Sequence, residues 1–171
     1  AGQHGLLEDE LVERPGGRET LQLTTVPEPR PERGQLLIAI EFAGVNFIDV
    51  YYRQGLYPVA SPFTPGTEAA GTVIDVGADA GDFRVGDRVA YQGVMGAYAE
   101  QAVVPADRAV RLPDNVSTRQ AAALMLQGLT AHYLSTSTYP LKAADTCLVH
   151  AAAGGVGLLL CQLAKLRGAK L

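Results

Sequence analysis

A glycine-rich turn near the carboxyl end constrains this chain more than any other feature. Ala151, Ala152, Ala153, Gly154, Gly155, Val156 and Gly157 follow an apolar run, Cys147, Leu148 and Val149, and open into residues 156–167, which read as a helix. Strand, glycine turn and helix in that order form the first unit of a doubly wound parallel sheet. Glycine lets backbone N–H groups approach a pyrophosphate closely, and the helix N-terminus adds a fixed positive end. The turn departs from G-x-G-x-x-G because Ala152 stands where the first glycine would be, while Gly154 and Gly157 keep the close approach and the helix–strand packing. The plainer reading is an ordinary strand-to-helix turn. In dinucleotide folds the acidic residue that reads the ribose lies ~20 residues past the turn. That position falls beyond Leu171, so these residues do not separate NAD from NADP. One such unit leaves a sheet edge and an apolar helix face open. The expectation is therefore a protein that continues past Leu171, rather than a fragment without turnover.

Composition narrows the partners. The 171 residues are 47% hydrophobic and 19% charged, enough to bury a core, and the net charge of −4 gives no basic footprint for nucleic acid. Two cysteines, Cys147 and Cys161, are too few for a disulfide framework or a four-thiolate zinc site. Both fall in segments that read as buried strand and helix, and a reducing cytoplasm is the expected compartment. Ala1, Gly2, Gln3, His4 and Gly5 carry no apolar leader pattern, and no apolar run approaches a membrane span.

Residues 1–112 read as mostly β. A short strand at 21–26 gives way to Pro27, Pro29, Pro31 and Gly34, and from Gln35 the apolar positions alternate through Leu36, Ile38, Ile40 and Phe42. Residues 46–53 read as a helical segment ended by Gly55, and further strands are expected at 71–76, 87–91, 97–104 and 109–112. Strands this short and close together point to a small barrel or sandwich. The texture changes at Pro113. Ser117 can cap a helix running to Met125, a second helix spans 129–134, and a polar Ser135 to Thr138 stretch precedes the last strand, turn and helix. Lys165 and Arg167 near the end of that helix, with Gly168 after it, form a stop signal.

Several residues have both a structural and a chemical reading. Asn46 and Asp49 fit a capping box, Tyr51 and Tyr57 fit half-buried packing aromatics, and Glu68 fits a carboxylate bonded to backbone or arginine. His132 reads as helix surface and His150 as a strand end. No Ser-His-Asp arrangement or carboxylate pair follows from spacing.

Taken together, the motifs resemble a known family. Gly44 through Asp49, Tyr51, Arg53, Gly55, Tyr57, Pro65 through Gly71, Val85 through Val89, Gly96 through Tyr98, Gln127 through Ala131 and His150 through Gly157 stand in one order along most of the chain. The chain is similar to the first half of a zinc-free medium-chain dehydrogenase/reductase of the NADPH:quinone oxidoreductase, zeta-crystallin-like type. The resemblance implies a GroES-like β-barrel domain over residues 1–112. Residues 113–171 would be the start of a Rossmann-type doubly wound parallel sheet, giving a β plus α/β fold with NADPH in the cleft. It implies Asn46, Phe47, Ile48 and Asp49 along the nicotinamide end, with Thr130 and Tyr133 facing the same end. Gly154, Gly155, Val156 and Gly157 would hold the pyrophosphate, and Tyr51 and Tyr57 would line the substrate side. Tyr51 is the catalytic candidate, as hydrogen-bond donor to the developing oxyanion. Zinc alcohol dehydrogenases of the same superfamily carry Cys where this chain has Asn46 and His where it has Thr67. An amide and a hydroxyl are poor zinc ligands, so no metal is expected. The substrate implied is a quinone, or alternatively an activated alkene as in enoyl and alkenal reductases. A non-catalytic crystallin-like role and an inactive truncated product are the remaining alternatives. Family members are commonly cytoplasmic homodimers, with no membrane or nucleic-acid partner expected.

Overall fold

The computed structural model describes residues 6–171; the expectation about Ala1 to Gly5 lies outside the described residues. The chain divides into two compact units, one ending at Ala123 and the other spanning Leu124–Leu171, whereas the composition change lies at Pro113.

The first unit is built on a five-stranded antiparallel sheet. Its strands are β3 (Gln35–Ala43), β4 (Glu68–Val76), β5 (Arg88–Gln92), β6 (Gln101–Pro105) and β7 (Ala109–Arg111), in the order β6-β3-β4-β5-β7. The alternating run from Gln35 becomes β3, flanked on both sides, with register shifts between Leu37 and Ile38 and between Ile40 and Phe42. Bulges of this kind bend a strand and curl the sheet. Leu36, Ile38, Val73, Val89, Tyr91 and Val104 fill the core beneath it. Tyr91 is fully enclosed there, its hydroxyl has no hydrogen-bond partner among the described residues, and burial pushes the phenol above its ordinary range.

A second, two-stranded sheet pairs β1 (Leu6–Val12) with β2 (Leu21–Pro27). The expectation omitted β1 because Leu6-Leu7-Glu8-Asp9-Glu10-Leu11-Val12 does not alternate; it exists through pairing with β2 and bridges to Ala99 and Phe63. Likewise the strand expected at 97–104 is regular only from Gln101, since Ala99 is spent on its bridge to Asp9. Short α1 (Phe47–Arg53) and α2 (Thr118–Ala122) complete this unit. Glu41 ties α2 to the sheet, its carboxylate accepting from the Thr118 hydroxyl at 2.7 Å and the Thr72 hydroxyl at 2.9 Å.

The second unit holds α3 (Met125–Tyr133) and α4 (Gly155–Leu166). The polar Ser135 to Thr138 stretch continues α3 as a wider π turn over Leu134–Thr138. Its hydroxyls explain why: Ser135 donates to the Ala131 carbonyl at 2.8 Å and Thr136 to that of His132 at 2.6 Å. The strand expected at 147–149 is not formed among the described residues; a single parallel bridge, Thr146 with Lys170, stands beside it. Gly168, at φ +76°, ends α4 as expected, and both cysteines are half-buried rather than buried. No helix among the described residues is long and apolar enough to cross a membrane.

Candidate functional site

Helix α1 begins where Asn46 leaves the helical region, at φ −128° and ψ 154°, and the capping box is present. The Asn46 backbone N–H donates to Asp49 Oδ2 at 2.8 Å. That arrangement satisfies one of the backbone donors a helix start leaves open. Asp49 is 5% exposed, and its remaining capacity is taken inside the protein. The Tyr98 hydroxyl donates to Oδ2 at 2.9 Å and the Thr67 hydroxyl to Oδ1 at 3.3 Å. Asn46 in turn donates from Nδ2 to Glu68 Oε1 at 2.9 Å. A carboxylate is tolerable out of water only when such donors surround it.

Glu68 opens β4 at 1% exposure, and the Asn46 side-chain amide is one of its partners. Its carboxyl lies where a side chain on residue 44 would stand, since a Cβ built on Gly44 overlaps it. Gly44 thus makes room for Glu68, and Glu68 holds Asn46. Burial, then the Asp49 charge, push the Tyr98 phenol above its ordinary range.

The rest of α1 is exposed or half-buried. Phe47 is 81% exposed and Ile48 half-buried, so of the four residues expected along the nicotinamide end, Asn46 and Asp49 are committed to the network and Phe47 and Ile48 are presented. At the far end the chain folds back, with the Leu56 and Tyr57 N–H groups both donating to the Tyr51 carbonyl, at 2.9 and 3.3 Å. This sets Tyr57 edge-on to Tyr51, ring centroids 5.6 Å apart, and to Tyr52 at 5.8 Å. Tyr51 and Tyr57 are partly exposed, 37% and 47%, while their rings pack on one another.

In the second unit, Gly154 precedes α4 and, being glycine, brings no side-chain cap to the first-turn N–H groups of this helix. Gly154 donates to the Ala151 carbonyl at 2.8 Å, closing the turn, and Ala151 sits at φ +50°. A Cβ on Gly157 would overlap the Ala151 carbonyl oxygen and lie 2.7 Å from Ala152 Cα, both backbone atoms that cannot yield. The fit to a pyrophosphate is therefore good: an exposed, uncapped helix start with backbone close at hand. Thr130 is less available than expected, because its hydroxyl donates to the Leu126 carbonyl at 2.7 Å. Tyr133 is exposed. His132 and His150 are both solvent-facing.

Two residues escaped the sequence reading. Tyr98 entered only as part of a motif, and Tyr52 not at all; both act through partners that spacing does not disclose. Three tyrosines within seven positions, 51, 52 and 57, were the one available signal.

Comparison with known proteins matches this architecture. The alcohol dehydrogenase GroES-like domain family matches residues 32–114. A probable quinone oxidoreductase of Schizosaccharomyces pombe is 46% identical over 157 residues, covering 91% of this chain and 48% of that protein. The crystal structure of a quinone oxidoreductase from Pseudomonas syringae superposes with a TM-score of 0.93 at 47% identity, over 96% of this chain and 51% of that one. That of the Escherichia coli quinone oxidoreductase complexed with NADPH gives 0.90 at 44% identity, over 97% and 51%. The chain spans about half the length of the curated relatives it matches.

Proposed function

The chain belongs to the quinone oxidoreductase family of medium-chain dehydrogenases/reductases, as the amino-terminal half, and from that premise we propose that it serves the metal-free, NADPH-dependent reduction of a quinone. The observation that carries the reading is the uncapped glycine start of α4, where Gly157 leaves no space for a side chain. The NADPH complex of a relative at 44% identity supports the choice of cofactor.

When bound, NADPH supplies a hydride to an electron-poor carbon of the acceptor. Gly154, Gly155, Val156 and Gly157 would hold its pyrophosphate through backbone N–H groups and the helix end. Phe47 and Ile48 would border the nicotinamide, with Asn46 and Asp49 fixing the turn they stand on and Thr130 and Tyr133 contributing from α3. Tyr51 would donate its phenol proton in a hydrogen bond to the oxygen on which negative charge develops, which a neutral phenol can do at physiological pH. Tyr57, edge-on to Tyr51, would line the same substrate side. Neither Asn46 nor Thr67 is a competent zinc ligand, so polarisation of the acceptor falls to hydrogen bonding. Residues 1–112 would form the β domain and 113–171 the start of the nucleotide domain, in a cytoplasmic homodimer.

The test is NADPH consumption by the protein as its gene encodes it, with menadione against an enoyl thioester as acceptor. Turnover of menadione, and a loss of kcat/KM in Tyr51→Phe, are expected. Preference for the enoyl thioester would reassign the substrate, and an unaltered kcat/KM in Tyr51→Phe would remove Tyr51 from the chemistry.

A further inference from the structure

The connection between β1 and β2 meets the carboxyl end of α1, a contact with no role in the reading above. The Arg53 guanidinium Nη1 donates to the Gly16 carbonyl at 2.7 Å, and the Gly16 N–H donates back to the Arg53 carbonyl at 2.9 Å. This reciprocal pair joins segments 37 residues apart in sequence and is partly buried. Beside it, Gly55 turns at φ +76° directly against Pro15; a Cβ there would stand 3.0 Å from the proline ring. The hairpin is itself fixed to the rest of the unit. Glu10 N–H donates to the Tyr98 carbonyl at 2.9 Å, and Val12 exchanges both backbone hydrogen bonds with Phe63, at 2.9 and 3.2 Å.

The bend at Pro15 and Gly16 is therefore a fixed abutment, and α1 ends against it. The segment from Arg53 to Tyr57 reverses direction over that abutment, and its reversal seats Tyr57 on Tyr51 and Tyr52. A seven-residue helix has little stability of its own, so where its last turn stands is decided by what holds it. We propose that Arg53 is a positioning residue for the substrate side: by pinning the end of α1 to Gly16 it sets the tyrosine trio in register, and so governs affinity for the quinone. Arg53 does not itself touch the acceptor. This inference rests on the assignment of Tyr51 and Tyr57 to the substrate side.

A displaced aromatic pair weakens acceptor binding while leaving the pyrophosphate turn alone. In the protein as its gene encodes it, Arg53→Met, which keeps the aliphatic stem and removes every donor, should raise the KM for menadione by roughly tenfold, since small misplacements of positioning groups carry costs of this order or more. The KM for NADPH should change less than about twofold, because the cofactor's phosphates contact a different part of the chain. Arg53→Lys, which can still donate to the Gly16 carbonyl, should recover most of the loss. A second readout needs no turnover. In the difference between the near-ultraviolet circular dichroism of variant and parent, signals common to both cancel, and these 171 residues hold no tryptophan, so the difference around Arg53 reports tyrosine packing. The tyrosine band should weaken in Arg53→Met and return in Arg53→Lys, with the far-ultraviolet spectrum confirming an intact fold. An unchanged tyrosine band in folded Arg53→Met overturns the inference whatever the substrate. So does an equal rise in both KM values, which would indicate general loosening. Tyr57→Leu separates the two levels: if it raises the menadione KM and Arg53→Met does not, the positioning role is wrong. If Tyr57→Leu also has no effect, the assignment of the tyrosines to the substrate side fails first.

Discussion

Two tyrosines in the first unit carry hydroxyls in opposite circumstances, and removing each hydroxyl should move stability in opposite directions. Tyr98 donates to Asp49 Oδ2 at 2.9 Å, one of three hydrogen bonds to a carboxylate that is almost fully enclosed. Tyr98→Phe leaves that carboxylate short of a donor. A hydrogen bond to a charged group contributes about 1.5–3 kcal/mol. Tyr98 is only half-buried, so water can partly substitute and the lower end applies: about 1.5 kcal/mol of destabilisation. At about 2–4 °C per kcal/mol for a chain of this size, Tm should fall by about 3–6 °C. Tyr91, by contrast, sits at 0% exposure with no partner for its hydroxyl among the described residues. Burying an unpaired hydroxyl costs about 1–3 kcal/mol, while Phe fills the same ring volume. Tyr91→Phe should therefore stabilise by about 1 kcal/mol and raise Tm by about 2–4 °C. The chemical change is identical in both variants, so effects on the unfolded chain largely cancel. Urea midpoints followed by far-ultraviolet circular dichroism, at unchanged m, measure the difference. A neutral or stabilising Tyr98→Phe would refute the view that Asp49 depends on its donors. A cost above about 1 kcal/mol for Tyr91→Phe would show that its hydroxyl is satisfied after all.

The same phenols predict alkaline behaviour. Burial holds Tyr91 protonated in the fold while the unfolded chain ionises above about pH 10, so the unfolded state binds fewer protons there. Stability should thus be complete below about pH 10 and fall above it, the Tyr91 phenol alone contributing up to about 1.4 kcal/mol per pH unit, a share that Tyr91→Phe should remove in pH-dependent urea melts. Asp9 is also held above the usual carboxylate range, first by burial and then by the Glu100 charge, and its Oδ1 is enclosed without a partner among the described residues. Asp9→Asn should raise Tm at neutral pH, and the gain should shrink as acid protonates Asp9 in the parent; a gain unchanged down to about pH 3 would exclude this cause. In the glycine turn, Ala151 at φ +50° occupies a region that costs a side chain about 1–2 kcal/mol, so Ala151→Gly should stabilise by about 0.5–1 kcal/mol after the entropy glycine adds to the unfolded state. Gly157→Ala drives a methyl into the Ala151 and Ala152 backbone and should cost more than about 2 kcal/mol and abolish saturable NADPH binding by fluorescence titration.

Much of this protein was decided by near neighbours. The capping box of Asn46 and Asp49, the alternation that becomes β3, the glycine turn and the Gly168 stop are all relations within four residues or one period. Local backbone preferences settle such relations wherever the chain goes. The ordered string of motifs likewise carried the family, because each motif marks a turn or close approach the fold cannot do without. The strand β1 was not legible, since its residues do not alternate and its place depends on β2, Ala99 and Phe63. The strand at 147–149 failed for the complementary reason: apolar content favours extension, but a ladder exists only where a partner lies alongside. The side-chain network was wholly tertiary. Asn46 meets Glu68 across 22 residues, Arg53 meets Gly16 across 37 and Asp49 meets Tyr98 across 49. A buried carboxylate needs donors but does not specify from which segment they come. The curl of the sheet and the paths of the loops chose Tyr98, Thr67 and Asn46, and only the folded chain brings them within hydrogen-bonding distance.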